Sequence, residues 1–360
     1  MTFRNILAAS AATVTLALVT TSAMADTVTV FGKNGKEGYG AKFAVIQRFQ
    51  PNRHGLPPAG APTWSYSFKY GRKTYTDAFI GTAPTTNSTT TIPVYLVPMA
   101  MTYGSTTYDP TKVTANGVSI VQNVLNSPLF QSSVNYTQGG TNIGTTQYED
   151  AFQRATLWGT AKSYPNWHTI FGTPTVEPVQ TFNVGTHGEL INAFGASNLI
   201  LANISYFDSA IQKLIGTLKI PSTALPLFIT TNTYLSSTNN TSGCCIGGYH
   251  SVYSSQPYAH ATYITTAGAF AQDVSALSHE LGEYIDDPST NNSSPCGVLE
   301  VGDPLEGNAN YGGYPYTVGG VTWNLQDLAT LEYFGAPANT SINNYFTFQG
   351  ESIGVCANGS

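Results

Sequence analysis

Asp273-Val-Ser-Ala-Leu-Ser-His279-Glu280-Leu281-Gly282-Glu283-Tyr-Ile-Asp286-Asp287-Pro288 is the stretch whose reading decides the fold. Glu300-Val301-Gly302-Asp303 follows about a dozen residues later. Val274, Leu277, Leu281 and Tyr284/Ile285 recur at close to 3.6-residue spacing, which predicts a helix with one apolar stripe. Asp273 is the expected N-cap, and Pro288 cannot continue the helix. On such a helix His279 and Glu283 stand one turn apart on one side, with Glu280 beside them. The expectation is a helix with one face in the core and a carboxylate-rich surface on the other.

Charge around this helix is lopsided. All fourteen Lys and Arg lie at or before Lys219, whereas eleven of the twenty acids lie beyond it, eight of them between Asp273 and Glu306. Carboxylates so dense raise one another's pKa unless a cation neutralises them, and no Lys or Arg is near in sequence. A bound metal is the simplest answer. Phosphate binding needs basic residues, so nucleic acid is not an expected partner of this half.

The first twenty-five residues carry Arg4, an apolar run from Ile6 to Val19 and then Ala23-Met24-Ala25, which reads as a secretory signal peptide with a small-x-small cleavage site. No other stretch approaches the roughly 18–20 apolar residues of a membrane span. The expectation is an exported protein, extracellular or periplasmic, of unknown oligomeric state. Only 9% of residues are charged, while 41% are hydrophobic and 12% aromatic, which argues against disorder.

Export makes disulfides of Cys244, Cys245, Cys296 and Cys356. Three pairings are possible. A vicinal bridge is the least favoured, so Cys244 and Cys245 are each expected to reach Cys296 or Cys356.

Up to about Gly104 the pattern is β. Thr27 to Phe31 alternates, Trp64–Tyr70 and Thr74–Ile80 form a hairpin about Gly71-Arg72, and Thr90–Tyr103 is a long apolar strand. Pro93 and Pro98 place that strand at an edge or a bend. Gln147–Trp158 reads as an amphipathic helix with Tyr148, Phe152 and Ala155 inward. Beyond Ser197, helix and strand alternate: helix over Tyr206–Leu218, strands over Ala224–Tyr234 and Tyr258–Thr266, with Ser236–Gly248 a turn-rich loop ending in Tyr249-His250. These readings give three regions: the signal peptide 1–25, a β-rich region 26–197, and a metal-binding region 198–360. The expected fold class is α+β, a zincin-like metallohydrolase core of mixed sheet plus active-site helix with a β-rich N-terminal part.

His-Glu-x-x-His on a helix binds zinc through two imidazoles one turn apart, while the Glu activates a metal-bound water. Glu283 replaces the second His here, and zinc accepts carboxylate oxygen as well as imidazole. In this reading His279, Glu283 and Glu300 bind zinc, Glu280 is the general base acting on a zinc-bound water, and Asp303 orients a ligand or binds the metal itself. His250 or His260 completes the shell or stabilises the oxyanion.

His279-Glu280-Leu281-Gly282-Glu283, Asp286-Asp287-Pro288 and Glu300-Val-Gly-Asp303 resemble the His-Glu-Leu-x-Glu, Asp/Asn-Pro and Glu-x-x-Asp pattern of the secreted phosphate-induced, or exordium-like, proteins and of related exported bacterial proteins. Cys245–His250 is similar to the Cys-Gly-x-His that precedes the motif there, and Gln147–Trp158 is a weaker echo of the bacterial group. The likeness covers roughly Cys244 to Asp303. Pro304 stands where family members often carry Cys, so no disulfide is carried over. The resemblance implies a zincin-like site in a protein outside the membrane, and it supplies no substrate.

Three function classes follow. The first is a secreted zinc-dependent hydrolase, a metallopeptidase acting on a peptide or protein substrate. The second is a non-catalytic extracellular or wall-associated protein whose Asp286, Asp287, Asp303 and Glu306 bind calcium structurally. The third is a glycosidase, for which Glu280 and Glu283 on one short helix face are poorly placed to flank a sugar bond.

Overall fold

The computed structural model describes residues 27–32, 42–47, 60–114, 117–306, 314–318 and 320–357. Residues 1–25, read from sequence as a signal peptide, lie outside the described residues. β1 (Thr27–Gly32) pairs antiparallel with β2 (Lys42–Gln47), and β3 (Thr63–Tyr70) with β4 (Lys73–Ile80), whose Tyr70↔Lys73 register closes the hairpin at Gly71-Arg72. β5 (Thr89–Ile92) and β6 (Val94–Tyr103) are separated at Pro93, and β7 (Thr106–Tyr108) folds back on β6. α1 (Ile120–Asn126), the hairpin β8 (Val134–Gln138) and β9 (Thr141–Thr146), α2 (Tyr148–Thr156) and the single turn α3 (Trp158–Ala161) follow.

β10 (His168–Phe171) lies beside β5, and β11 (Thr175–Val176) and β12 (Gln180–Asn183) lie along β6. The rest of the sheet comes from β13 (Gly188–Ala193), β14 (Ala196–Asn203), β15 (Leu225–Thr231), β16 (Thr233–Ser236), β17 (Cys244–Tyr253) and β18 (Gln256–Tyr263). α4 (Ile204–Leu218) links β14 to β15, and α5 (Ser275–Asp286) follows β18. Two short ribbons complete the described chain, β19 (Ser293–Ser294) with β20 (Gly297–Val298) and β21 (Tyr314–Val318) with β22 (Val321–Leu325).

The fold class expected from sequence is overturned. Strand dominates, and the main sheet is a curled, half-closed, twelve-stranded mixed sheet in the order β11-β6-β15-β18-β17-β16-β14-β13, not a helix-plus-sheet zincin core. Two features account for the difference. Strands from early in the chain join the same sheet, β6 beside β15 and β2 beside β17. The helix–strand alternation stops at β15, after which β17 runs antiparallel to both β16 and β18. β17 was hidden because its Cys-Cys-Ile-Gly-Gly opening has the composition of a turn.

β6 is also no edge strand. It pairs with β15 on one side, and on the other it meets β11 at Tyr95 and Leu96 and β12 from Met99 to Thr102. Pro98 falls in the gap between those two stretches, where a missing N–H breaks no ladder bond.

The sheet separates two cores. On one face α4 packs Phe207, Ile211 and Ile215 with Phe182, Phe228 and Tyr258. On the other, α5 and α2 pack with residues of β4, β9 and the C-terminal loops. α5 keeps its expected stripe of Val274, Leu277, Leu281, Tyr284 and Ile285, but its polar side is buried too: His279, Glu280, Glu283 and Asp286 are each at most 2% exposed. α5 is therefore a central helix, contacted by β17, β18, α2, β4 and β22, and not the half-exposed helix its periodicity predicts. α2 is likewise buried along its whole length, because it sits between α5 and the strands β8–β10. Asp273 is not the N-cap: Val274 holds that position without a side-chain cap, while Asp273 accepts from the Val274 and Asn324 backbone N–H groups and from Asn324 Nδ2.

The disulfides correct the expected pairing. Cys244 bonds its neighbour Cys245, both wholly buried where β17 begins, with a cis peptide bond between them. Cys296 bonds Cys356 across a Cα–Cα distance of 5.4 Å, an ordinary disulfide span. Tyr333 lies between the two loops, its carbonyl accepting from Cys356 N and standing 3.5 Å from Cys296 Sγ. Two disulfides fit an oxidising compartment. Among the described residues no helix is long and apolar enough to cross a membrane.

Candidate metal centre

Side-chain alternation along β17 starts the site. Successive residues of a strand face opposite ways, so Gly248 and His250 point to α5 while Tyr249 points to α4, where its hydroxyl donates to Asp208. From α5 come His279, Glu280 and Glu283, with His279 and Glu283 one turn apart as their spacing requires. The loop after β20 brings Glu300 and Asp303. None of the six is more than 8% exposed.

Contacts among them are close. His279 Nε2 lies 2.9 Å from Glu283 Oε1 and 3.5 Å from Asp303 Oδ1. His250 Nδ1 lies 3.3 Å from Glu283 Oε2 and 3.5 Å from Glu280 Oε2, and its Nε2 is 3.7 Å from Glu300 Oε2. Most of these are long for a hydrogen bond. Both ring nitrogens of each histidine, both oxygens of Glu280 and Glu300, and Asp303 Oδ1 have no aligned hydrogen-bond partner despite burial. Buried polar atoms are ordinarily satisfied, so this concentration calls for a shared partner. Two ligands held about 2.1 Å from one ion at 90–120° stand about 3.0–3.6 Å apart, close to the spacings found.

The convergent atoms form two groups, His250/Glu283/Glu300 and His279/Glu280/Glu283, each within 4.8 Å. These buried His/Glu groups could hold a metal ion. Glu300 thus converges with His250, while Asp303 approaches His279. Neither group includes any of the four oxygen ligands of the calcium reading, Asp286, Asp287, Asp303 and Glu306. His260 is on the other face of the sheet: it pairs with Thr230 Oγ1 and packs edge-on against Phe207, and burial pushes its pKa down to about 3.

Three supports were not legible as site residues. Phe43, the second residue of β2, stacks on the His279 ring at a centroid distance of 3.6 Å. Gly302 passes so close that a Cβ would stand 2.3 Å from His279 Nδ1, and its N–H donates to Glu283 Oε1. Gly248 leaves room for Glu280, whose Oε1 would lie 2.5 Å from a Cβ there. The glycine inside Glu-Val-Gly-Asp and the Gly-Gly pair before His250 were signals of close approach. Glu149 of α2, wholly buried against α5 at Gly282, has no aligned hydrogen-bond partner for either oxygen.

Electrostatics follow from burial among carboxylates. Burial opposes the charged form of His279, but Glu283 and Asp303 hold its pKa well above the ordinary value. His250 is raised the same way by Glu300, Glu280 and Glu283 against its own desolvation. Glu283 faces both rings; burial raises it, yet His279 and His250 hold it at about 2. Desolvation pushes Glu280 up to about 8 and Asp303 and Asp287 to about 7, and Glu300 well above the carboxylate range. Without a cation the cluster keeps protons that a metal would displace.

No protein-family model, curated protein or solved structure matches the chain.

Proposed function

We propose that the protein is a secreted zinc-dependent hydrolase, a metallopeptidase, built on His279, Glu283, His250, Glu300 and Asp303 with Glu280 as general base. The observation that carries this reading is the convergence of two unpartnered imidazoles and four carboxylates in one buried cluster with no Lys or Arg within ion-pair reach among the described residues. Mixed imidazole and carboxylate donors suit zinc. Zinc held there supplies Lewis acidity, lowering the pKa of water and polarising a carbonyl. Glu280 takes the proton of the attacking water and returns it to the leaving amine. His250 stands beside Glu280, and Phe43 and Gly302 fix the His279 ring. The leader-like sequence of residues 1–25 and the disulfides support export.

The test is zinc analysis of the purified protein together with cleavage of a mixed peptide library. Bound zinc and chelator-sensitive cleavage are expected; calcium without zinc, and no cleavage, would refute the hydrolase. A second reading, a structural cation in a non-catalytic extracellular protein, is favoured by the depth of the cluster, in which His279 and Glu280 are 0% exposed.

A further inference from the structure

Glu283 is shared by both convergent groups, and its two oxygens face different imidazoles. Oε1 is turned to His279, at 2.9 Å, and Oε2 to His250, at 3.3 Å. A carboxylate so placed between two nitrogen donors has the arrangement of a bridge, one oxygen for each of two ions. Each side also has its own further carboxylate, Asp303 at 3.5 Å from the same His279 Nε2, and Glu300 at 3.7 Å from His250 Nε2, the ring nitrogen opposite the one that faces Glu283. Glu280 belongs to the His279 group and lies 3.5 Å from His250.

We infer that the centre holds two divalent cations bridged by Glu283, one at His279 and Glu283 Oε1 with Asp303 beside it, the other at the group His250, Glu283 and Glu300. Charge supports this count. Glu280, Glu283, Glu300 and Asp303 carry four negative charges when ionised, which one dication leaves half neutralised and two balance. All four are at least nine-tenths buried, where uncompensated charge is costly. Two ions about 3.5–4 Å apart clamp both the attacking and the leaving atoms of a hydrolytic displacement. The inference rests on the proposed metal-dependent reading and deepens it from one cation to two.

Zinc analysis of the purified protein, saturated with zinc and freed of excess by gel filtration, is expected to give two ions per chain. Anomalous diffraction at the zinc edge is expected to give two peaks about 3.5–4 Å apart. Glu300→Gln should fall to one ion per chain with an unchanged far-UV circular dichroism spectrum, and Glu283→Gln below one. One ion per chain at saturation, with a single anomalous peak, overturns the two-cation centre and leaves the hydrolase standing. Two ions without peptide cleavage uphold the centre and sink the hydrolase, and no bound zinc sinks both. If Glu283→Gln does not fold, the anomalous map of the unaltered protein decides alone.

Discussion

Each face of the sheet carries a buried polar cluster, and the two are built to opposite ends. Under α4, Asp208 accepts from the Tyr249 and Tyr258 hydroxyls and from Gln212, and His260 pairs with Thr230 through Nε2, its Nδ1 alone lacking a partner. Under α5, two histidines and four carboxylates crowd together with most of their polar atoms unpaired. Neighbouring residues of one strand, Tyr249 and His250, serve the two clusters. A buried polar network with its hydrogen bonds made rigidifies a fold, whereas one left unsatisfied is costly unless something completes it. The contrast sets the α5 cluster, whose buried His/Glu groups could hold a metal ion, apart from the α4 cluster, which is structural.

The sharpest way to break that comparison is to delete one histidine from each face. His279→Ala is expected to abolish zinc binding on its side of the centre and to cut peptide cleavage by at least about 10³-fold, as loss of a catalytic metal should. His260→Ala is expected to leave zinc content unchanged and cleavage within a few fold. Equal losses in the two variants, measured by metal analysis and initial rates, would erase the distinction. Glu280→Gln comes next. It should keep its zinc but lose roughly 10²–10⁴-fold in kcat, the usual worth of a general base. Retained activity would remove Glu280 from that role.

A smaller effect is expected across the sheet. Asp208→Ala removes an acceptor shared by the Tyr249 and Tyr258 hydroxyls, which costs about 1–3 kcal/mol. Urea denaturation should show that loss of stability at constant zinc content. Zinc lost in proportion would mean that the two faces are coupled.

How much of this was legible depended on whether the signal was local. Helix spacing placed His279, Glu280 and Glu283 together because 3.6-residue geometry is carried by the backbone, and the acidic excess without Lys or Arg pointed to a cation. The hairpin at Gly71-Arg72 and the helix at Tyr206–Leu218 were likewise local. The sheet was not, since the parallel pairing of β6 with β15 joins residues more than a hundred apart. β17 was lost because Gly247 and Gly248 lower β propensity. Those glycines are there for a non-local reason, the Phe270 ring and the Glu280 carboxylate pressing on the strand. The burial of α5 on all sides had the same cause: polar residues that read as solvent-facing are polar because they face one another. Phe43 could not be connected to His279 at all without the pairing of β2 with β17.

The smallest expected effect is a pH dependence that differs in sign between the two faces. His260 is held neutral, its pKa lowered to about 3 by burial, so its contribution is present above its unfolded value of 6.5 and is lost as pH falls below it. On the α5 face, burial raises Glu280 to about 8 and Asp287 and Asp303 to about 7, so the metal-free fold binds protons there that the unfolded chain has released. That contribution is lost as pH rises. His279 and His250, raised by their carboxylate neighbours, lose theirs in the same direction above 6.5. Glu283 has the opposite sign, but with a folded value of about 2 it changes only below pH 4.5. Between pH 6.5 and 8 the α5 face therefore acts alone, at about 1.4 kcal/mol per pH unit for each proton difference. The metal-free protein should show a Tm that falls by a few degrees across this window, a shift of about 2–4 °C per kcal/mol being an upper guide for a chain of this size. Bound zinc displaces those protons and should flatten or invert the slope, because metal affinity rises as its ligands deprotonate. A metal-free Tm that rises with pH through this window would mean that the α5 carboxylates are already ionised and compensated, and the case for a cation there would fail.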